Sequence, residues 1–338
     1  MRNDDYFAGV LLRWFRENGR ELPWRETRDP YAIWLSEIIL QQTQVKQGWA
    51  YWERFMRRWP TVKDLAAATE DEVLREWQGL GYYSRARNLH YAARQVTEAG
   101  GFPESYEGLR QLKGVGDYTA AAIGSIAFGL PTAVVDGNVY RVLARHFGIE
   151  TPINTTEGKK EFAALAQSLL PAAEASAYNQ AIMDFGAIQC TPQSPRCVIC
   201  PLQESCVAFR TGRTGELPVK LRKLKVRSRH LIYIYIRCKG ETAIHRRPSG
   251  DIWQGLWEPY SEEDASKDIV AAYPGARLVA EGVRHVLTHQ ILTADFYLWE
   301  TENRPPLPDD YLWIREADIA DYGIPRLIDK LLSLLSEL

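Results

Sequence analysis

Residues 112–123 read LKGVGDYTAAAI. Two glycines flank Val115, and a run of small residues follows Tyr118. A helix is about to start at Tyr118, and the run of small residues lies within it. The glycines predict a turn before it with outward-pointing N–H groups, placed at the positive end of the helix. Such a turn suits a phosphate oxygen, and Gly114 and Gly116 let that oxygen come near the backbone. The preceding ESYEGLRQL (104–112) reads as a short helix, so the whole is a helix–hairpin–helix. A backbone phosphate contact of this kind positions DNA without reading its sequence. Tyr118, at the start of the second helix, has no evident place in that scheme.

Working outward, residues 1 to about 209 read as helices separated by Gly, Pro and Asn turns. DPYAIWLSEIILQQTQVKQGWAYWERFMRRW (29–59), TEDEVLREWQGLG (69–81) and KKEFAALAQSLL (159–170) are the clearest. Asp29 is placed to cap the first, with Pro30 at its first helical position. Between 210 and 229, RTGRTGELPVKLRKLKVRSR carries eight Lys or Arg and one Glu. It reads as an exposed basic connector, equally suited to solubility and to contact with a phosphate backbone. Beyond it the pattern turns strand-like. HLIYIYIRC (230–238) is β-branched and aromatic, and RLVAEGVRHVLTHQILTADFYLWE (277–300) suggests two strands around a turn. Helices are expected at EEDASKDIVAAY (262–273) and at the C-terminal PRLIDKLLSLLSEL (325–338). A helical domain over 1–209, a linker over 210–228 and a smaller α+β domain over 229–338 follow.

The 338 residues suffice for two such domains. An apolar fraction of 46% and a charged fraction of 25% are ordinary for a globular chain. At a net charge of −2 any nucleic-acid surface must be local. Eleven Trp and seventeen Tyr supply both cores and stacking surfaces. The opening MRNDDYFAGVLLRWFREN is an amphipathic helix rather than a signal peptide, and no apolar run is long enough to span a bilayer. A cytoplasmic protein is expected.

Four of the five cysteines, Cys190, Cys197, Cys200 and Cys206, fall within CTPQSPRCVICPLQESC. In a reducing compartment such clustering indicates a metal or cluster site rather than disulfides. The gaps of six, two and five contain only one short knuckle, and the residues alone leave the metal open.

Two carboxylates sit in unusual company. Glu37, in YAIWLSEIILQQTQV, has Ile33, Trp34 and Leu40 as its helical neighbours. That setting partly desolvates it and raises its pKa, as a general acid requires, although a lone Glu is more often on a helix surface. Asp136, in TAVVDGNVYRVLARHFG, ends an apolar run before a helix. It reads first as an N-cap and second as a fixed charge facing a developing cation.

Together ELPWR (21–25), PYAIWLSEIILQQTQV (30–45), GLGYYSRARNLH (79–90), GVGDYTAAAI (114–123), VVDGNVYRVLAR (134–145) and the cysteine loop closely resemble the MutY family of adenine DNA glycosylases. The resemblance covers most of residues 20–206. It implies an all-α helix-hairpin-helix glycosylase domain with an iron–sulfur loop, followed by a smaller α+β Nudix-like domain. It implies a [4Fe–4S] cluster on the four cysteines, and duplex DNA carrying 8-oxoG·A or G·A mispairs as substrate, acted on by a monomer. By the same resemblance Glu37 protonates the flipped adenine at N7, and Asp136 stabilises or captures the oxocarbenium-like sugar. Tyr118 and Asn138 support that chemistry, Arg25 and Gln180 lie near the adenine pocket, and Gln42 and Tyr82 probe and wedge the duplex. A base must leave the stack to be reached, and aromatic contact from Tyr82 after Gly81 can assist. Tyr83 reads instead as core. Two carboxyl groups serving a sugar cation parallel the logic of glycosidases.

RRPSGDIWQGLWEPY (246–260) resembles the family's Nudix-like lesion-recognition domain. No spaced acidic box follows Gly255, so pyrophosphohydrolase activity is not expected. RHVLTHQIL (284–292) aligns with the family's 8-oxoguanine reader loop. There Leu287, Thr288 and His289 stand where many members have Phe-Ser-His, so hydroxyl and imidazole are kept and the aromatic is absent.

Endonuclease III-type glycosylases, the nearest rival, form a Schiff base with a lysine at the position of Tyr118. This chain has no lysine between Lys113 and Lys159. A non-catalytic damage binder would not need both Glu37 and Asp136, and a zinc hydrolase would need an open ligand position that four cysteines deny.

Overall fold

The structure is a computed structural model describing residues 3–221, 226–263, 267–287 and 289–337. It divides into two compact units, one of residues 1–66 with 91–222 and one of 67–90 with 223–338.

The first unit is helical. Its elements are α1 (Asn3–Asn18), α2 (Pro30–Leu40), α3 (Val45–Arg58) and most of α4 (Val62–Ala67). Residues 67–90 of the second unit hold α5 (Glu70–Glu76) and the start of α6 (Ser84–Glu98). The first unit continues with α7 (Tyr106–Arg110), α8 (Asp117–Phe128), α9 (Gly137–Phe147), α10 (Thr156–Ser168), α11 (Ala175–Asp184) and α12 (Val207–Arg210). Its core gathers Phe7, Leu11, Ile33, Ala121, Leu143, Phe162 and Phe185 among others.

The helix–hairpin–helix is α7, a turn with Gly114 at φ 80°, and α8. Ala120, Ala121, Ala122 and Gly124 of α8 are buried, and α8 packs on α2, α7 and α11. Small side chains allow that close approach. A Cβ at Gly124 would stand 3.0 Å from Leu130 Cδ1.

Residues 29–59, read above as continuous helix, are two helices. Asp29 caps α2 through the Tyr31 N–H, with Pro30 at its start as expected. The chain then breaks over 41–44, where Gln42 adopts φ 58°. No Gly or Pro marks that break, which is why helical periodicity runs through it.

The second unit carries a sheet of β1 (Arg227–Cys238), β2 (Glu241–Arg246), β3 (Trp257–Glu258), β4 (Tyr260–Glu263), β5 (Arg277–Val286), β6 (Gln290–Glu300) and β7 (Tyr311–Arg315). The order is β3-β2-β1-β6-β5, with β4 also on β1 and β7 also on β2. Strands β1 and β6 run parallel, Arg227 opposite Gln290 through Arg237 opposite Glu300, and the other pairs are antiparallel. Period-two alternation is strict in β1. Leu231, Tyr233 and Tyr235 face Leu327, Ile328 and Leu331 of the C-terminal α13 (Arg326–Ser336), while Ile232, Ile234 and Ile236 face Tyr260, Ile269 and Tyr273.

The helix expected over 262–273 is a correction. Residues Tyr260–Glu263 form β4, and only Lys267–Ala272 turn, as a 3₁₀ helix. Pairing of β4 with the long, apolar β1 overrides the helical composition there. Among the described residues no helix is long and apolar enough to cross a membrane.

Candidate active site and cysteine loop

Glu37, Tyr118, Asp136, Asn138, Arg25 and Gln180 line one solvent-open cleft of the first unit. Each is placed by its own element. Glu37 lies on α2, whose residues Tyr31–Ile39 are all buried. Tyr118 is the second residue of α8, and its hydroxyl donates to Glu37 Oε2 at 2.8 Å. Burial, with Asp136 nearby, raises the Glu37 pKa to about 7, against the opposing pull of Tyr118 and Arg25. Tyr118 is itself pushed well above its ordinary pKa by burial and by the two carboxylates, so it stays a neutral phenol.

Asp136 is the N-cap of α9 and something more. Its Oδ1 accepts the N–H groups of Asn138 and Val139, both at 2.8 Å, and its Oδ2 accepts Asn138 Nδ2 at 2.8 Å. Burial raises its pKa, while these N–H donors and Arg141 hold it down. The two carboxyl groups therefore differ in kind. Three N–H donors surround one, and a neutral phenol meets the other.

Sequence reasoning missed three residues of this site. Arg141 donates to Asn138 Oδ1 (2.8 Å), to the Gly186 carbonyl (2.6 Å) and to the Cys190 carbonyl (2.7 Å). With its oxygen so occupied, Asn138 turns its amide nitrogen to Asp136. Gly186 lies in a π-helical turn (Phe185–Gln189), where a Cβ would come within 2.6 Å of Asn138 Cβ and 3.0 Å of its Cα. Asp184, with no exposed side-chain surface, binds both nitrogens of the Arg25 fork at 2.8 Å.

Outside the cleft, Gln42 is exposed at φ 58°. In the second unit Tyr82 is exposed at φ 48°, with the Arg85 guanidinium 5.6 Å from its ring centre. A left-handed backbone is costly for such residues. Tyr83 is buried, as read. Leu287 and His289 line a pocket of the second unit with Tyr82, Asp251 and Trp253. Leu287 is half-buried against the α13 side of the sheet, its N–H donating to the Gln290 carbonyl at 2.8 Å. Thr288 lies outside the described residues. Gly116 caps α8 without a side-chain bond, and nothing stands within 4 Å of where its Cβ would be.

The four cysteines line one cavity with Val142, Arg145 and Leu202. Among the described residues no three His, Cys, Asp or Glu side chains meet as a single-ion site. Four thiols gathered on one cavity fit a group held by several sulfurs. Arg145 donates to Cys190 Sγ at 3.4 Å and to the Thr191 and Pro192 carbonyls at 2.7 and 3.1 Å. A buried guanidinium beside the sulfurs favours anionic ligands. Burial and the neighbouring thiols push Cys200 up to about 11, so a metal must displace its proton.

Residues 35–171 match the HhH-GPD superfamily of base excision DNA repair proteins, 190–206 the iron-sulfur binding domain of endonuclease III, and 232–334 the NUDIX domain. The chain thus has a helical glycosylase-type domain with an iron–sulfur loop, then a Nudix-like domain. The adenine DNA glycosylase of Mus musculus is 46% identical over 222 residues, 62% of this chain and 43% of that protein. The adenine DNA glycosylase of Buchnera aphidicola subsp. Schizaphis graminum (strain Sg) is 33% identical over 254 residues, 74% of this chain and 73% of the relative. Among solved structures, a thermostable thymine-DNA glycosylase superposes with a TM-score of 0.58 at 31% identity, over 62% of this chain and 97% of that one. The match spans less than half the length of the mammalian relatives, 39% to 44%. The Buchnera match runs across most of both chains. On that ground the chain belongs to the adenine DNA glycosylase family.

Proposed function

We propose that this protein hydrolyses the N-glycosidic bond of adenine mispaired with 8-oxoguanine or guanine in duplex DNA, as a monofunctional, monomeric, cytoplasmic enzyme bound to DNA. The observation that carries this reading is the Tyr118–Glu37 hydrogen bond. A phenol fills the place from which a lysine would attack the sugar, and it holds a buried acid whose pKa is about 7. Adenine leaves poorly until protonated, and a protonated Glu37 in the cleft can deliver that proton to N7. Departure leaves positive charge on the sugar, which faces the Asp136 carboxyl oriented by its three N–H donors. Arg25 and Gln180 bound the base pocket, and Asn138 orients Asp136.

The functional division is taken as 1–209 for excision, 210–228 as connector and 229–338 for lesion reading. The turn at Gly114 and Gly116 clamps a DNA phosphate, and the open space over Gly116 supports that role. Gln42 and Tyr82 probe the duplex from strained backbone, and Leu287, Thr288 and His289 read 8-oxoguanine. A [4Fe–4S] cluster on Cys190, Cys197, Cys200 and Cys206 supplies structure to the loop, and the hydrolysis uses no redox step.

Incubation with duplexes carrying 8-oxoG·A, G·A, 8-oxoG·C or thymine glycol tests the reading. Strand breaks are expected opposite 8-oxoG or G at adenine alone, and only after alkali. Cleavage at thymine glycol, or breaks without alkali, would contradict it.

A further inference from the structure

Arg25 and Arg20 both line the cleft, and Asp184 stands behind them, wholly buried. Its two oxygens take Arg25 Nη1 and Nη2 at 2.8 Å each, and the Arg20 backbone N–H and Nε at 2.9 and 3.0 Å. Arg25 Nη1 also donates to the Arg20 carbonyl at 2.8 Å. The planar fork is therefore held by three bonds on one side. Burial opposes the Asp184 charge, yet the two arginines keep its pKa below the usual carboxylate range, so it is an anion. The clamp sits one residue from Met183, whose sulfur is 3.3 Å from the Tyr118 hydroxyl, and one turn from Gln180.

Excision creates positive charge in this cleft twice, on the protonated base and on the sugar. An uncompensated, mobile guanidinium beside Glu37 would oppose both, and would favour the ionised form of the acid. We propose that Asp184 is the positioning residue of the excision pocket, locking Arg25 in a fixed orientation and offsetting part of its charge beside Glu37. The inference rests on the adenine-excision reading. Asp184 touches neither base nor sugar and acts on excision through Arg25, while its bonds to Arg20 hold the cleft wall.

A double-mutant cycle at saturating protein with an 8-oxoG·A duplex tests it, with thermal melting and the visible cluster absorption as checks of folding. Asp184→Asn should lower single-turnover excision by roughly 10- to 100-fold with duplex affinity changed less than about 3-fold. Its alkaline limb should move to lower pH. Unopposed Arg25 charge lowers the Glu37 pKa, and the acid works only while protonated. In the Arg25→Gln background Asp184→Asn should change neither rate nor limb further. Arg25→Lys keeps the charge but cannot take both oxygens, and should lose rate comparably. That variant decides the matter even if Asp184→Asn fails to fold. Equal effects of Asp184→Asn in both backgrounds, or full excision by Arg25→Lys, would overturn the proposal alone. Absence of adenine excision by the wild type would overturn the reading and the proposal with it.

Discussion

At the scale of single residues, the chemistry turns on environments rather than residue types. Glu37 and Asp136 are both buried carboxyls, but one meets a phenol and the other three N–H donors. With its pKa near 7, Glu37 should pass from acid to anion as pH rises, and excision should fall through that range. Stability follows the same group. A folded pKa raised from 4.5 to about 7 means its contribution is full below about 4.5 and is lost as pH rises through 7. Glu37→Gln should therefore gain up to about 3 kcal/mol over wild type at pH 8 relative to pH 4, measured by denaturant melts. No relative gain at pH 8 would place the Glu37 pKa near its ordinary value. Tyr118→Lys should supply the missing nucleophile, and a covalent DNA adduct trapped by borohydride is the expected result.

Glu37 was legible because a carboxylate inside an apolar run is anomalous. Asp184 carries the same signal, between Met183 and Phe185, and was passed over. Arg141 and Gly186 carry no such signal, because their roles lie in contacts between segments about 45 residues apart.

At the scale of elements, α9 carries its cap on Asp136, the residue proposed to face the sugar cation, and the two roles are separable. Asp136→Asn keeps an oxygen for the Asn138 and Val139 N–H groups and loses only the bond from Asn138 Nδ2, so melting should fall less than in Asp136→Ala while excision is lost. Asp136→Ala should also lose about 1 kcal/mol of helix capping. Equal melting losses in both variants would show that charge, not capping, holds the helix start. The π-helical turn is fitted to α9 through Gly186. Gly186→Ala should press on Asn138, cost about 1–3 kcal/mol and reduce excision. Helix starts and strand alternation were legible because capping residues and period two are local. The break over 41–44 and the β4 strand were not, since unmarked left-handed backbone and pairing with a distant strand leave no local trace.

For the whole molecule, the proposed function assigns excision to one unit and lesion reading to the other. The helical unit holds the carboxylate cleft and the cysteine loop, and the sheet unit holds the pocket of Leu287 and His289. Substitution there should change choice of substrate without changing chemistry. His289→Ala should narrow the preference for 8-oxoG·A over G·A while leaving saturated single-turnover excision within about 3-fold of wild type. An unchanged preference would remove the loop from lesion reading. The division into a helical and a strand-rich half was plain from composition. The grouping of residues 67–90 with the sheet was invisible, because it depends on tertiary contacts alone.

The central claim is that Glu37, held neutral in the cleft, delivers the proton that frees adenine. Single-turnover excision from an 8-oxoG·A duplex by Glu37→Gln, beside its affinity for the same duplex, tests this most directly. Lesion binding kept near the wild-type level with no adenine released is the predicted result. Excision at the wild-type rate would contradict it.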